Sequence, residues 1–421
     1  MKDKSPLHLF QAYGVELEYM IVDSNTLDVK PIADELLKVA AGEYVNEFVN
    51  GSVTWSNELV SHVIELKCTE PVADLQELAQ HFASNVVQIN ILLSQFDAKL
   101  MPTAAHPWMN PVEETQLWPY GNKDIYEAYD RIFGCSGHGW SNLQSTHLNL
   151  PFHGDEEFAR LHAAIRILMP IMPALTASSP ILEKKYEGWL DKRLDYYQQN
   201  QIKIPQITGK VIPEQSFSEA SYSEMIYQPI EKAIRPYDEE GILEAMWLNS
   251  RGAIARFDRG SIEIRILDIQ ESPIADLAVL SLIIEVLKLL SSGKLASLEA
   301  QQSWTVEDLH KIYAKVIVEA QDAQIEDSSY LSLYQFEGDS ASAQQLWIHL
   351  YKIAAADNPE SLRPWMETLD PLLQRGSLAS KILEVSEDIF SRENLSLIYS
   401  ELCDCLDDNK TFQTCHIVGL S

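Results

Sequence analysis

The stretch Gly14-Val15-Glu16-Leu17-Glu18-Tyr19 decides the fold. Two glutamates stand two apart, with apolar residues between and beside them. Side chains alternate across a strand, so Glu16 and Glu18 share one face while Val15, Leu17 and Tyr19 share the other. Ser261-Ile262-Glu263-Ile264-Arg265-Ile266 repeats the arrangement, placing Glu263 and Arg265 opposite three isoleucines. Thr146-His147-Leu148-Asn149-Leu150 pairs His147 with Asn149, and Val63-Ile64-Glu65-Leu66-Lys67 pairs Glu65 with Lys67. An antiparallel sheet with one solvated face accounts for any one of these strands. If all four polar faces converge, however, at least four carboxylates and an imidazole meet, which is tenable only with bound cations. Oxygen-rich ligand sets suit Mg²⁺ or Mn²⁺, and Mg²⁺ prefers to share its shell with substrate phosphates. The chain has no GxxxxGK[ST] and no GxGxxG opening a helix, so phosphate would fall to metals and to arginines such as Arg256, Arg259 and Arg265.

Outward from these strands the pattern is mixed as far as residue 270. Residues 13–23, 61–68, 142–151 and 260–268 alternate with period two and predict strands; 73–96 and 155–177 have helical spacing. Pro170 and Pro173 should end or kink the second helix. After residue 273 the strand signal stops, and 304–323, 341–356, 359–374, 378–390 and 392–406 predict a run of helices. Strands first and helices later predict an α+β catalytic core over 1–292, with a helical C-terminal region over 293–421 packed on it.

Composition narrows the function. Of 421 residues, 62 are Asp or Glu and 32 are Lys or Arg, a net charge of −30 spread over the whole chain. A general nucleic-acid partner needs a basic face, and this composition argues against one. With 46% hydrophobic and 22% charged positions the chain is expected to fold rather than remain disordered. The most apolar segment, 273–290, carries Asp276, Glu285 and Lys288, which suits a buried helix and no membrane span. No secretory signal is evident, and five scattered cysteines make no disulfide framework, so the expected location is cytoplasmic. Cys403-Asp404-Cys405 with Cys415-His416 matches no zinc spacing.

Taken together, these residues resemble the glutamate–cysteine ligase family, in its bacterial branch of carboxylate–amine ligases. GVELEY resembles that family's first metal-binding strand. Similar motifs follow in order: the IEL strand, HPWMNP (106–111), THLNLP, PALTASSP (173–180) and IEIRILDIQ (262–270). The resemblance covers about residues 10–290. It implies a glutamine synthetase-like catalytic fold, an antiparallel sheet curved into a funnel with outer helices. It implies ATP, two or three Mg²⁺ ions (or Mn²⁺) and small-molecule partners, an amino acid and an amine. The implied reaction makes an amide through an acyl phosphate, on a carboxylate expected to be glutamate's.

Carried over by position, the resemblance makes Glu16, Glu18, Glu58, Glu65, His147 and Glu263 metal ligands, with His147 also a nucleotide contact. Glu58 lies an odd number of residues before Glu65, so a bend or bulge must separate them. Glu263 and Arg265 are the implied catalytic pair, Arg265 touching the phosphoryl group in flight. Arg256 and Arg259 are candidates for phosphate contact. Arg193 corresponds to an arginine that holds the substrate carboxylate, with a surface arginine on a helix as the other reading. The stretch before it, EKKYEGWLDKR (183–193), departs from the family's glycine- and serine-rich pattern. His106 and His138, in HPW and GHGW, either line the funnel or serve the structure. Two further chemistries remain open: a phosphotransferase resembling the guanidino kinases, and a divalent-metal hydrolase using the same carboxylates.

Overall fold

The computed structural model describes residues 6–413. Eight strands form one antiparallel sheet: β1 (Gly14–Asp23), β2 (Glu47–Asn50), β3 (Val53–Asn57), β4 (Val63–Cys68), β5 (Ala98–Met101), β6 (Ser145–Pro151), and two later strands. Between β6 and those two, β7 (Ile181–Leu182) and β8 (Lys185–Tyr186) make a separate short hairpin. The sheet then resumes with β9 (Ala253–Arg256) and β10 (Ser261–Asp268), in the order β2-β3-β4-β1-β6-β10-β9. The order leaves β2 and β9 as edges, so the sheet is open. β1 is the long central strand. It pairs with β4 along one edge, and with β6 and then β5 along the other.

All four predicted strands form where the alternation placed them. The core face is built by Val15, Leu17, Tyr19, Ile64, Leu66, Leu148, Leu150, Ile262 and Ile264, each fully buried in one continuous cluster. Helices Leu75–Leu93, Gly154–Leu168 and Pro273–Ser291 cover that face. The second breaks into a 3₁₀ turn, Met169–Ile171, as its prolines require, and Pro173 opens a further short helix. Pro273–Ser291 is buried nearly all round, Asp276 and Glu285 included. No described helix is long and apolar enough to cross a membrane. Strands β2, β3, β5 and β9, the β7–β8 hairpin, and a two-residue pairing of Gln324–Ile325 with Ala341–Ser342 beyond residue 273 are additional to those read from the pattern.

The opposite face changes character along β1. Glu16 and Glu18 are followed on that face by Met20 and Val22, both fully buried. These two belong to a second apolar cluster with Leu378, Ile382, Leu395, Ile398 and Leu402, from helices Leu378–Ser386 and Arg392–Asp407. The C-terminal helices therefore close one end of the polar face. Elsewhere the later helices join the main core, and Trp347 Nε1 donates to the Ile171 carbonyl at 2.8 Å.

One irregularity matters for the site. Ile264 pairs with Leu148 but Leu267 pairs with Thr146, so β10 uses one residue more than β6 over the same span. This bulge reverses the alternation. Glu263 lies opposite Asn149 and Asp268 opposite Ser145, so Asp268 falls on the polar face despite its odd spacing from Glu263.

Candidate active site

The four polar faces do converge. His147 is the hub: its Nδ1 lies 3.0 Å from Glu16 Oε2 and 3.6 Å from Glu263 Oε1, and its Nε2 lies 3.7 Å from Glu18 Oε1. Ligand atoms of Glu16, His147 and Glu263 all fall within 4.8 Å of one another, a spacing that could hold a metal ion. Asn149 Nδ2 donates to Glu16 Oε1 at 3.1 Å. Gly14 stands opposite Asn149, and a Cβ there would lie 2.9 Å from the Asn149 Cβ. Glycine is thus required for Asn149 to reach Glu16.

Ser145 was not singled out from the sequence, although it lies two residues before His147 on the same face. Its N–H and hydroxyl donate to Glu18 Oε2 at 2.6 and 2.9 Å, and its Oγ lies 2.9 Å from His147 Nε2. Ser56, also unforeseen, donates to Glu65 Oε2 at 2.5 Å. Lys67 Nζ lies 3.4 Å from Glu65 Oε2 and 2.6 Å from Glu47 Oε1. Glu58 lies past the end of β3, in the turn leading to β4, so a hairpin supplies the change of direction between Glu58 and Glu65.

The charges are strongly coupled. Burial, then the charge of Glu18, raises Glu58 to about 7 against the pull of His147 and Arg265. Burial and the charges of Glu16 and Glu58 push Glu65 well above the carboxylate range. Glu16 escapes its burial through the His147 hydrogen bond and charge and falls to about 2. Burial pulls His147 down, but the Glu16 hydrogen bond and the Glu18 charge outweigh it and raise it. Burial first, and ionised neighbours second, favour the protonated forms of Glu58 and Glu65. Divalent cations would occupy the place of those protons, so the donor set fits hard metal ions.

Arg265 Nε lies 3.1 Å from Glu263 Oε1 without hydrogen-bond alignment. Arg193, on the short helix Lys192–Tyr197, is buried rather than at the surface. Its Nε donates to Asp268 Oδ1 and its Nη2 to the Arg265 carbonyl at 3.3 Å, leaving Nη1 without a partner among the described residues. Arg256 grips Asp258 through Nε and Nη2 at 3.0 and 2.9 Å, with its guanidinium 4.1 Å from the Trp247 ring centre. Arg259 stands farther out, 5.9 Å from the same ring.

Two cavities share the acidic cluster. One of about 650 Å³ meets Glu18, Glu58, His147, Arg193 and Arg265. The other, about 890 Å³, meets Glu16, Glu65, Lys67, Arg256, Arg259 and Glu263. Trp247 lines both. His106 and His138 line neither. His106 Nε2 bonds the Leu27 carbonyl at 2.8 Å and its Nδ1 accepts from the N–H groups of Trp108 and Met109; His138 Nδ1 meets Asn142 at 3.0 Å. Cys403 and Cys405 are buried among apolar residues, and Cys415 and His416 lie outside the described residues.

The fold is that of the glutamine synthetase-like ligases. The crystal structure of a glutamate–cysteine ligase from Francisella tularensis in complex with AMP matches it with a TM-score of 0.57 at 12% identity, over 96% of this chain and 89% of that one. The sequence carries the assignment further, because the model of glutamate–cysteine ligase family 2 matches residues 12–384. The chain belongs to that family and is an ATP-dependent C–N ligase. An uncharacterized protein of Archaeoglobus fulgidus is 32% identical over 400 residues, 95% of this chain and 99% of that one. A Rubrobacter xylanophilus protein, provisionally named glutamate–cysteine ligase 2-3, is 28% identical over 170 residues, 40% of this chain and 44% of its own.

Proposed function

We propose that the protein forms an amide between an amino-acid carboxylate, glutamate being the first candidate, and a primary amine, through an acyl phosphate made from ATP. The observation that carries this reading is the meeting of two cavities at the Glu16–His147–Glu263 cluster, where two substrates could approach one phosphoryl group from opposite sides. The nucleotide phosphates would enter the larger cavity, where Lys67, Arg256 and Arg259 supply positive charge. The carboxylate substrate would enter the smaller one, with Arg193 Nη1 free to hold a second carboxylate of that substrate.

Glu16, Glu18, Glu58, Glu65, His147 and Glu263 would hold two or three divalent ions, which supply charge neutralisation and alignment of the phosphates. A substrate carboxylate oxygen attacks the γ-phosphorus, the bond to the β-phosphate oxygen breaks, and ADP departs. Arg265, held beside Glu263, faces the negative charge on the transferring group. The amine, once its ammonium form has lost a proton to solvent, attacks the acyl carbon through nitrogen; the bond from that carbon to the phosphate oxygen breaks, inorganic phosphate leaves, and the nitrogen loses one more proton to give the amide. Family membership favours this sequence over the guanidino-kinase and metal-hydrolase chemistries. Free thiols at Cys68, Cys135, Cys403 and Cys405 and the use of ATP suit the cytoplasm.

The test is phosphate release with ATP, Mg²⁺ and glutamate against a panel of amines, with Glu263→Gln and Arg265→Ala as controls. Release that requires an amine and falls by at least a hundredfold in both variants is expected. Release with neither a carboxylate nor an amine present would overturn the ligase reading in favour of a hydrolase.

A further inference from the structure

The smaller cavity has a wall the reaction does not require. Away from the acidic cluster it is formed by Leu59, Ile125, Tyr126, Tyr129, Trp140 and Leu143. Ile125, Tyr126 and Tyr129 come from helix Lys123–Phe133, and Trp140 from His138–Ser141. Tyr129 and Trp140 pack edge to face with ring centres 5.6 Å apart. At about 650 Å³ the cavity lies in the range of drug-sized ligands rather than of one small amino acid.

The polar groups around this wall are mostly spent within the protein. Tyr129 Oη donates to the Trp247 carbonyl at 3.4 Å and Tyr197 Oη to the Arg251 carbonyl at 3.4 Å. Asn200 donates to the Gly139 carbonyl, and Gln201 Nε2 to Ser250 Oγ at 3.0 Å. The guanidinium groups lining the cavity are those of Arg193 and Arg265, assigned above to the second carboxylate of the activated substrate and to the transferring phosphoryl group. A free amino acid as acceptor brings a second carboxylate, which would sit against ring faces with no cation to meet it. Burying that charge unpaired is costly. The same surroundings favour a ring, which the aromatic faces of the wall can take up offset-stacked or edge to face. Trp140 Nε1 is buried without a hydrogen-bond partner among the described residues.

We propose that the amine substrate is a primary amine that carries an aromatic ring and no carboxylate, seated against Tyr126, Tyr129 and Trp140. This rests on the ligase reading above. The experiment compares matched pairs, tyramine with tyrosine and cysteamine with cysteine, in phosphate release with ATP, Mg²⁺ and glutamate. Hydroxylamine, which traps an acyl phosphate as a hydroxamate, reports the first half-reaction whatever the acceptor. The expected result is a kcat/KM at least tenfold higher for tyramine than for tyrosine and for cysteamine, with Trp140→Ala raising KM for tyramine at least tenfold more than KM for cysteamine. Hydroxamate formation together with a preference for cysteine or tyrosine over its carboxylate-free partner would overturn this proposal and leave the ligase standing. Absence of hydroxamate with glutamate and with every other amino-acid carboxylate tried would overturn both.

Discussion

Arg193 and Asp268 form an ion pair that is almost wholly inside the protein, 1% and 0% exposed, directly behind Arg265. Asp268 also accepts from the Ser178 N–H at 2.9 Å and the Ser179 hydroxyl at 2.8 Å, so its carboxylate ties the end of β10 to the segment after Thr176 and to the Arg193 helix. Arg193, which lines the smaller cavity, is held in place by this buried network.

Removing one partner of such a pair strands the other charge without water. Asp268→Ala is therefore expected to cost about 3–5 kcal/mol in urea unfolding. Glu360→Ala, which frees Arg363 in a pair whose side chains are 69% and 70% exposed, should cost no more than about 1 kcal/mol. Equal costs for the two would show that burial does not set the strength of the Arg193–Asp268 link.

The carboxylate cluster sets a pH dependence of its own. Glu58 titrates near 7 in the folded chain against 4.5 unperturbed, and Glu65 is raised further. A group raised on folding stabilises below its unfolded value and loses that contribution as pH climbs through the folded one. The metal-free protein should thus lose stability between about pH 4.5 and 7 on account of Glu58, with Glu65 extending the loss upward. Divalent ions replace the lost protons, so the rise in Tm on adding Mg²⁺ should be small at pH 5.5 and large at pH 8. Glu65→Gln should raise the metal-free Tm at pH 8 and shrink the Mg²⁺ effect. A Mg²⁺ effect of the same size at both pH values would contradict the cluster's assignment as a metal site.

His106 gives the opposite slope. Burial first, then the charge of Arg392, lowers it to about 3 from 6.5. Its Nδ1 accepts from the N–H groups of Trp108 and Met109 at 3.2 and 3.0 Å, contacts that only the neutral ring can make. A group lowered on folding stabilises above its unfolded value and loses that stability as pH falls toward the folded one. Stability should decline below pH 6.5 with a slope approaching about 1.4 kcal/mol per pH unit from this residue. His106→Gln should flatten that slope, whatever it does to the absolute Tm; an unchanged slope would place the acid sensitivity elsewhere.

The parts of the site legible in the sequence are those that keep strict alternation. Glu16, Glu18, Glu65, His147 and Glu263 sit on regular strands, where period two alone assigns the face, and their partners are equally regular. Glu58 was legible only as a candidate, because the turn that carries it leaves no periodic signal. Asp268 was hidden by the bulge after Ile264, which inverts the face that counting from Arg265 predicts. Trp247, from the short helix Ala245–Leu248, and the aromatic wall from residues 125–140 lie outside the sheet, where long-range packing alone decides what meets what. The edge strands β2 and β9 are four residues each, too short for alternation to show.

The face shared by Glu16, Glu18, Met20 and Val22 bears on whether the C-terminal helices unfold separately from the catalytic core. Met20 and Val22 are sealed by Leu378, Ile382, Leu395, Ile398 and Leu402, so the strand that carries two of the acidic ligands is also part of the C-terminal core. Phe412 extends the link, its N–H donating to Glu271 at 2.9 Å just before helix Pro273–Ser291. Truncating Leu402, which is fully buried, should cost about 2–5 kcal/mol. Because the lost contacts lie on β1, the loss should lower one cooperative transition for the whole chain rather than split off an early one. Leu402→Ala should also weaken Mn²⁺ binding as the end of β1 loosens beneath Glu18. Scanning calorimetry of Leu402→Ala decides the matter: a single endotherm at lower temperature supports one cooperative unit, whereas a separate early endotherm with unchanged Mn²⁺ affinity would make residues 293–421 an appendage to an independent site.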